Sequence, residues 1–450
     1  MTTVATHSDL QEWVRETLRA PFTLQLIPGG GSRTSYAVNA STGQRYLLRV
    51  DSGKGPLSGT EFTIEREFRV ISALHRAKFP VPAILSYSPH HDALLMEFIE
   101  GTTSYQVQVS AELQHSIQSD LMRQVVCLHS LTPRELGLTD FSRLTTVKDA
   151  VSHDLKRLTS MYSPSSILKE PEIEFALSWL ERNIPEPDRP ARLVHGDVGP
   201  GNFIFGADGR VRAIIDWEVV HMGHPLEDLA AIMCRALGVA FGTCEEHIAN
   251  YEIFAASRVD RNALAFGVVL VLTRWYIGLN LAISRPSTSQ NIPVLLTYRQ
   301  SVADTLVRAL AERHSLPELP ESRLPDAQSL DAFVHEYIID GLETVLGPAL
   351  EEPYLRDRAN GLVKLSLYLR DRSAYGVERL EREEIADIEQ LTGNQYESYA
   401  AAHVAACEFA RAVAPASADG FMGFLQKLSR RRHLIWSAAM GEMGLRRLTY

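Results

Sequence analysis

The chain has 450 residues, 45% of them hydrophobic, and 55 Asp and Glu against 45 Lys and Arg give it a formal charge of −10. That length points to two domains, or to one bilobed unit with an appendage. An acidic balance with no long basic block argues against a nucleic-acid partner, and Arg430-Arg431-Arg432 reads as a solvated helix face.

In chain order, Met1 to Arg19 mixes charges with scattered apolar residues and reads as an amphipathic helix rather than a signal peptide. Between residues 23 and 50, short strands break at Pro28-Gly29-Gly30-Gly31, the pattern of a small antiparallel sheet. From Glu61 to Leu74, Ile64, Phe68, Ile71 and Leu74 recur at helical spacing with Glu67 on the same face. A carboxylate on an apolar face calls for a cation. Strands Ile84–Tyr87 and Ala93–Ile99 follow, ending at Glu100-Gly101, where the chain crosses into a second lobe.

From about residue 105 the pattern is mostly helical, with one long helix marked by Leu113, Ile117, Leu121, Val125 and Leu128. Helices resume near 225, 244, 260 and 291, and Thr243 with Glu246 forms a capping box for the second. The apolar run Ala263 to Leu272 falls short of the ~20 residues that span a bilayer, so no membrane partner is expected. Pro317, Pro320 and Pro325 mark a connector at 315–327. Beyond it the chain is helical, with breaks at Gly347-Pro348, Tyr375-Gly376, Gly393-Asn394 and Pro415 to Gly420. The expected organisation is an N-lobe at 1–101, a C-lobe at 102–314, the connector, and an all-α domain at 328–450. Cysteines 127, 234, 244 and 407 lack CxxC spacing, so a reducing, cytoplasmic setting without disulfides or structural zinc is expected.

The chemistry concentrates in His195-Gly196-Asp197-Val198-Gly199-Pro200-Gly201-Asn202-Phe203 and Ile214-Ile215-Asp216-Trp217-Glu218. Ala207-Asp208-Gly209 suits a tight hairpin that returns Asp216 beside the loop carrying Asp197. One carboxylate then orients a hydroxyl while the other oxygen ligands hold a metal. Phosphoryl transfer needs this division, because the protein mostly positions the nucleophile and neutralises charge on the moving group.

These residues, with Gly223, Pro225, Asp228, Leu229 and Ala230 downstream, resemble the aminoglycoside phosphotransferase-like family of small-molecule kinases over roughly residues 20 to 310. The latter run is most similar to the branch associated with acyl-CoA dehydrogenases. The resemblance implies an α+β, bilobed, protein-kinase-like fold: an N-lobe of small sheet plus helix and a mostly helical C-lobe. It implies Asp197 as catalytic base, Asn202 and Asp216 as magnesium ligands, and ATP as donor, with GTP equally compatible. The amides of Gly30, Gly31 and Ser32 would cradle phosphates, although Arg33 departs from the asparagine often found there. Arg49 stands in place of the strand lysine, with Glu67 as its partner, and the main chain at Glu97 and Ile99 would hold adenine. His195 is expected to fix the loop, Glu218 to assist the metal or form a salt bridge, and Asp228 to brace the catalytic loop or compensate its helix dipole. His224, where an aspartate is usual, reads as tolerated variation. Around Arg358 to Leu362 the chain resembles a bacterial helical domain of unknown function, which brings no chemistry with it.

The resulting expectation is a kinase acting on a small-molecule hydroxyl, the acceptor being an aminoglycoside or other antibiotic, or a hydroxyacyl-CoA. Arg235, Arg258 and Arg274 either flank the acceptor pocket or are structural. Two other readings are a catalytically silent nucleotide-binding module and a metal-dependent hydrolase built on His195, Asp197 and Asp216. Oligomeric state does not follow from the sequence.

Overall fold

The computed structural model describes the chain apart from residues 1–2, 28–32, 52, 54, 56, 106–109, 163–168, 285–289, 321, 326–329 and 450, and the side chains of 3–7. Gly30, Gly31 and Ser32 therefore lie outside the described residues. The chain divides into two compact units, Met1–Val151 with Pro185–Gly267 and Ser152–Ile184 with Val268–Thr449. This division cuts across the lobe and domain boundaries read from the sequence.

The first unit opens with helix α1 (Thr3–Leu18) and strands β1 (Phe22–Ile27), β2 (Thr34–Ala40) and β3 (Arg45–Val50). Helix α2 (Ile64–Arg76) separates these from β4 (Ile84–Ser88) and β5 (Ala93–Glu97), so the last strand ends two residues before Ile99. The five strands form one antiparallel sheet in the order β1-β2-β3-β5-β4. Side-chain alternation decides what covers each face. Leu48 and Leu95 pair in register and pack with Leu10 and Val14 of α1, whereas Leu94 and Met96 pack with Ile64 of α2. Arg49 is opposite Leu94 and two residues from Leu47, so it belongs to the face that α2 covers. Thr63 caps α2 by accepting from Arg66 N at 3.2 Å, and Glu67 one turn on is buried.

The rest of this unit contains α3 (Ala111–Ser130), the start of α4 (Val147–Tyr162), and four short strands: β6 (Arg192–Val194), β7 (Phe203–Phe205), β8 (Val211–Ile214) and β9 (His221–Gly223). β6 pairs with β9, and β7 with β8 through the expected hairpin, where Gly209 has φ +74°. Helices α6 (Leu226–Arg235) and α7 (Cys244–Ala255) follow, α7 carrying the expected Thr243/Glu246 capping box. The unit thus has the bilobed arrangement of sheet-plus-helix and helical halves.

Helix α8 (Arg261–Ser284) continues the chain. Among the described residues it is the one helix long and apolar enough to cross a membrane; 72% of its most apolar window is buried within the protein. The apolar run seen in the sequence was shorter because Thr273 and Arg274 interrupt it, and both are buried.

In the second unit, α5 (Pro171–Arg182) and α9 (Ile292–Arg313) are joined by α10 (Leu330–Asp340), a π-helical turn Gly341–Leu346, α11 (Gly347–Ala349), α12 (Pro353–Tyr375), α13 (Val377–Thr392), α14 (Tyr399–Ala412), α15 (Ala418–Met440) and α16 (Glu442–Leu445). No strand occurs among its described residues, and the described part of 315–327 has neither helix nor strand. Gly376 and Gly393 end helices at positive φ as expected, but Gly420 lies inside α15. The arginine run is not a solvated face. Arg432 Nη1 reaches Glu170 at 2.9 Å and Glu172 at 3.0 Å, Arg431 reaches Asp387 at 2.6 Å, and Arg430 donates to the Leu319 carbonyl at 3.2 Å. Arg299 also pairs with Glu170. This ion cluster ties α9 and the start of α5 to α15, which explains why the compact unit does not begin at the proline-rich stretch.

Candidate active site

The loop between β6 and β7 carries the motif, and buried Asp228 in the first turn of α6 anchors it. Asp228 accepts from His195 N at 2.9 Å and from Gly196 N at 2.8 Å, and His129 Nε2 lies 3.1 Å away. Asp228 thus holds the loop backbone at His195 and Gly196. Gly196 is required because its φ is +82° and a Cβ there would lie 2.9 Å from the His221 ring.

His195 is fully buried, its ring tilted 60° against that of Trp217 with centroids 4.6 Å apart. Its Nε2 donates to the Ile215 carbonyl at 2.9 Å and its Nδ1 accepts from Asp197 N at 3.3 Å. With both nitrogens hydrogen-bonded, His195 ties the residue after β8 to the loop.

Asn202 Nδ2 donates to the Asp197 carbonyl at 2.8 Å and to Asp197 Oδ2 at 2.9 Å. Because Phe203 pairs with Ile214, and Ile215 N donates to the Asn202 carbonyl at 3.0 Å, the hairpin sets Asn202 beside Asp216. Asp216 has left-handed backbone angles, φ 68° and ψ 55°.

Arg235, at the C-terminal end of α6, joins Asp197 in a way the spacing did not reveal. Its Nε lies 3.1 Å from Asp197 Oδ1, its Nη2 pairs with Oδ2, and its Nη1 donates to the Pro200 carbonyl at 2.9 Å. A Cβ on Gly199, where φ is +143°, would lie 2.8 Å from Arg235 Cδ, so the glycine is shaped to this arginine. Arg258 instead pairs with Glu252 at the surface, and Arg274 with Asp154 in the second unit.

Arg49 crosses from the sheet to this centre. Its Nη2 pairs with Asp216 Oδ1 and donates to Glu218 Oε2 at 2.8 Å, while Glu67 Oε1 is 3.6 Å from its Nη1. Glu67 is held more closely by Arg33, whose Nη1 pairs with Glu67 Oε2 and whose Nη2 donates to the Phe62 carbonyl at 2.8 Å. Arg33 is thus the first partner of the inward glutamate and Arg49 the second. Burial alone would push the Asp216 carboxyl up, but Arg49 beside it holds it below the usual aspartate value. Glu97 donates its amide to the Ala83 carbonyl at 2.8 Å, and Ile99 follows in the irregular segment after β5.

His224 has a role of its own. Its Nδ1 accepts from Leu226 N at 3.1 Å, just inside α6, and Nε2 meets Glu186 at 3.0 Å, so the imidazole ties the turn before α6 to Glu186. Burial lowers the pKa of His195, His224 and His247. The unfolded chain, with histidine near ~6.5, therefore binds more protons than the folded one below that pH. Stability is expected to hold above about pH 6.5 and fall below it; thermal melts from pH 8 to 5 that show a rising midpoint on acidification would contradict this.

The donor set fits a magnesium-nucleotide. Asn202 and Asp216 offer neighbouring oxygen ligands, the hard donors that magnesium takes beside waters and substrate phosphates. Among the described residues, buried Arg49 Nε has no hydrogen-bond partner.

The phosphotransferase enzyme family matches residues 23–256. Acyl-CoA dehydrogenase family member 11 of Rattus norvegicus is 32% identical over 221 residues, 47% of this chain and 28% of that protein. Family member 10 of Mus musculus is 29% identical over 220 residues, 47% of this chain and 20% of that one. The chain spans under a third of the length of these relatives. The crystal structure of a candidate aminoglycoside phosphotransferase from Ralstonia eutropha, 20% identical, covers 66% of this chain and 94% of its own with a TM-score of 0.52, a likeness of fold.

Proposed function

We infer, since this chain belongs to the phosphotransferase enzyme family, that it is a small-molecule kinase moving the γ-phosphate of ATP or GTP onto an acceptor hydroxyl. The observation that carries this reading is the meeting of Asp197, Asn202 and Asp216 at one end of the β7–β8 hairpin, with Arg49 reaching them from the sheet.

Asp197 accepts the hydroxyl proton as the acceptor oxygen bonds to the γ-phosphorus and the bond to the leaving diphosphate breaks. Arg235 and Asn202 fix the carboxylate, so little reorganisation remains at the moment of transfer. Magnesium, when bound, would be held by Asn202 and Asp216 and would neutralise phosphate charge. Arg49, tied to Asp216 and Glu218 in the free protein, turns to the phosphates, and Arg33 keeps Glu67 compensated meanwhile. The relatives named for acyl-CoA dehydrogenase favour a hydroxylated acyl thioester or similar metabolite as acceptor over an aminoglycoside.

Replacing Asp216 with Ala is expected to weaken magnesium-dependent nucleotide binding by roughly tenfold to a hundredfold. Calorimetric titration with and without magnesium reads this directly, and unchanged affinity in both would remove Asp216 from the metal site.

A further inference from the structure

Arg66 stands next to Glu67 in α2 and meets different neighbours. Its Nη2 donates to the Val220 carbonyl at 3.1 Å, its Nη1 donates to Glu61 Oε2 at 2.8 Å, and its guanidinium carbon lies 4.4 Å from the centre of the Phe141 ring. Val220 closes the 3-10 turn Trp217–Val219 that follows Asp216, and Phe141 opens a second such turn, Phe141–Arg143, in the helical half. Arg69, three residues on and so on the same side of α2, pairs with Asp140. The two arginines therefore reach from one helix into the half of the unit that carries the catalytic loop.

Two kinds of contact thus hold α2. Against the sheet, Ile64 packs with Leu94 and Met96, and apolar burial has no direction, so a helix held this way can slide by small amounts. The Arg66 hydrogen bond and ring contact are directional, and they fix α2 to the backbone just past Asp216. The distinction matters because Arg49 spans both sides. Glu67 Oε1 of α2 lies 3.6 Å from its Nη1, while Asp216 and Glu218 pair with its Nη2. A displacement of ~1 Å in a positioning group can cost about 10²-fold, so the distance from Glu67 to Asp216 is one that the site needs held.

We propose that Arg66 is a positioning residue for the phosphate side of the site: by fixing α2 to the segment after Asp216, it sets the span between Glu67 and Asp216 that Arg49 bridges. The proposal rests on the phosphotransfer reading. Its test is calorimetric titration of the full chain with Mg-ATP and Mg-GTP, and with adenosine and guanosine alone, for the wild type and Arg66→Met, each verified as folded by thermal melts. The triphosphate that the wild type binds is expected to bind the variant at least tenfold more weakly, with the affinity of its nucleoside unchanged, because the base does not touch Arg49. In a Glu67→Gln background the same substitution is expected to cost threefold or less, since the group it positions is already altered. If Arg66→Met does not fold, Phe141→Leu takes its place, removing the ring beneath the guanidinium while leaving the hydrogen bond to Val220. Unchanged triphosphate affinity, a nucleoside weakened as much as the triphosphate, or an undiminished cost in the Glu67→Gln background would each overturn this role and leave the phosphotransfer reading standing. A wild type that binds neither Mg-ATP nor Mg-GTP would overturn both.

Discussion

Replacing Asp197 with Asn is expected to lower kcat by about 10²–10⁴-fold with nucleotide affinity nearly unchanged. The amide keeps the size of the side chain but has no oxygen that takes up a proton, and its NH2 group faces the Arg235 guanidinium that a carboxylate accepted from. The loss falls on the chemical step because the nucleotide-side groups, Arg49, Asn202 and Asp216, are still in place. Asp228 still accepts from His195 N and Gly196 N, so the loop keeps its backbone course. Steady-state turnover beside nucleotide titration separates the two effects. Unchanged turnover would remove Asp197 as the base; equal loss of binding and turnover would make it a loop-building residue instead.

Replacing Arg432 with Met is expected to destabilise the unit formed by 152–184 and 268–449 by about 3–5 kcal/mol, the usual result of stripping one partner from a buried ion cluster. Glu170 and Glu172 are both buried, and burial alone would raise the Glu170 carboxyl. Arg432 and Arg299 instead hold it down to about 2. A carboxylate depressed in this way stabilises the fold above its unfolded value, near ~4.3, and the contribution is lost as pH falls toward the folded value. The variant should therefore melt lower at neutral pH and lose part of the steep acid dependence of the wild type between about pH 4.3 and 2. Hydrogen exchange in α9 and α15 against pH measures both; protection equal to wild type at pH 7 would show that the cluster contributes nothing to stability.

The active-site motif was legible because its residues lie close in sequence and a tight turn at Gly209 leaves few ways to bring Asp216 back to Asn202. Glu67 was legible as a buried carboxylate for a similar reason, since helical spacing alone put it on the covered face of α2. Its first partner was not. Arg33 stands beside a glycine turn and was read as a departure in the nucleotide loop, and only the packing of α2 on the sheet brings it to Glu67. Arg235 escaped assignment because it is 38 residues from Asp197 and nothing in local periodicity sets how α6 faces the loop; Gly199 beside it was the available signal. Arg432 was misread for a related cause. Three consecutive arginines on a helix resemble a solvated face unless their partners are known, and those of Arg432 lie about 260 positions earlier in the chain.

The most direct test of phosphotransfer is phosphorus NMR of the protein with Mg-ATP and a panel of hydroxy acids, hydroxyacyl-CoAs and aminoglycosides. The account predicts a new phosphomonoester resonance that grows with ADP only in the presence of both magnesium and an acceptor, strongest with a hydroxylated acyl compound. Nucleotide that binds yet stays intact with every acceptor, or free phosphate released without an acceptor product, would contradict it.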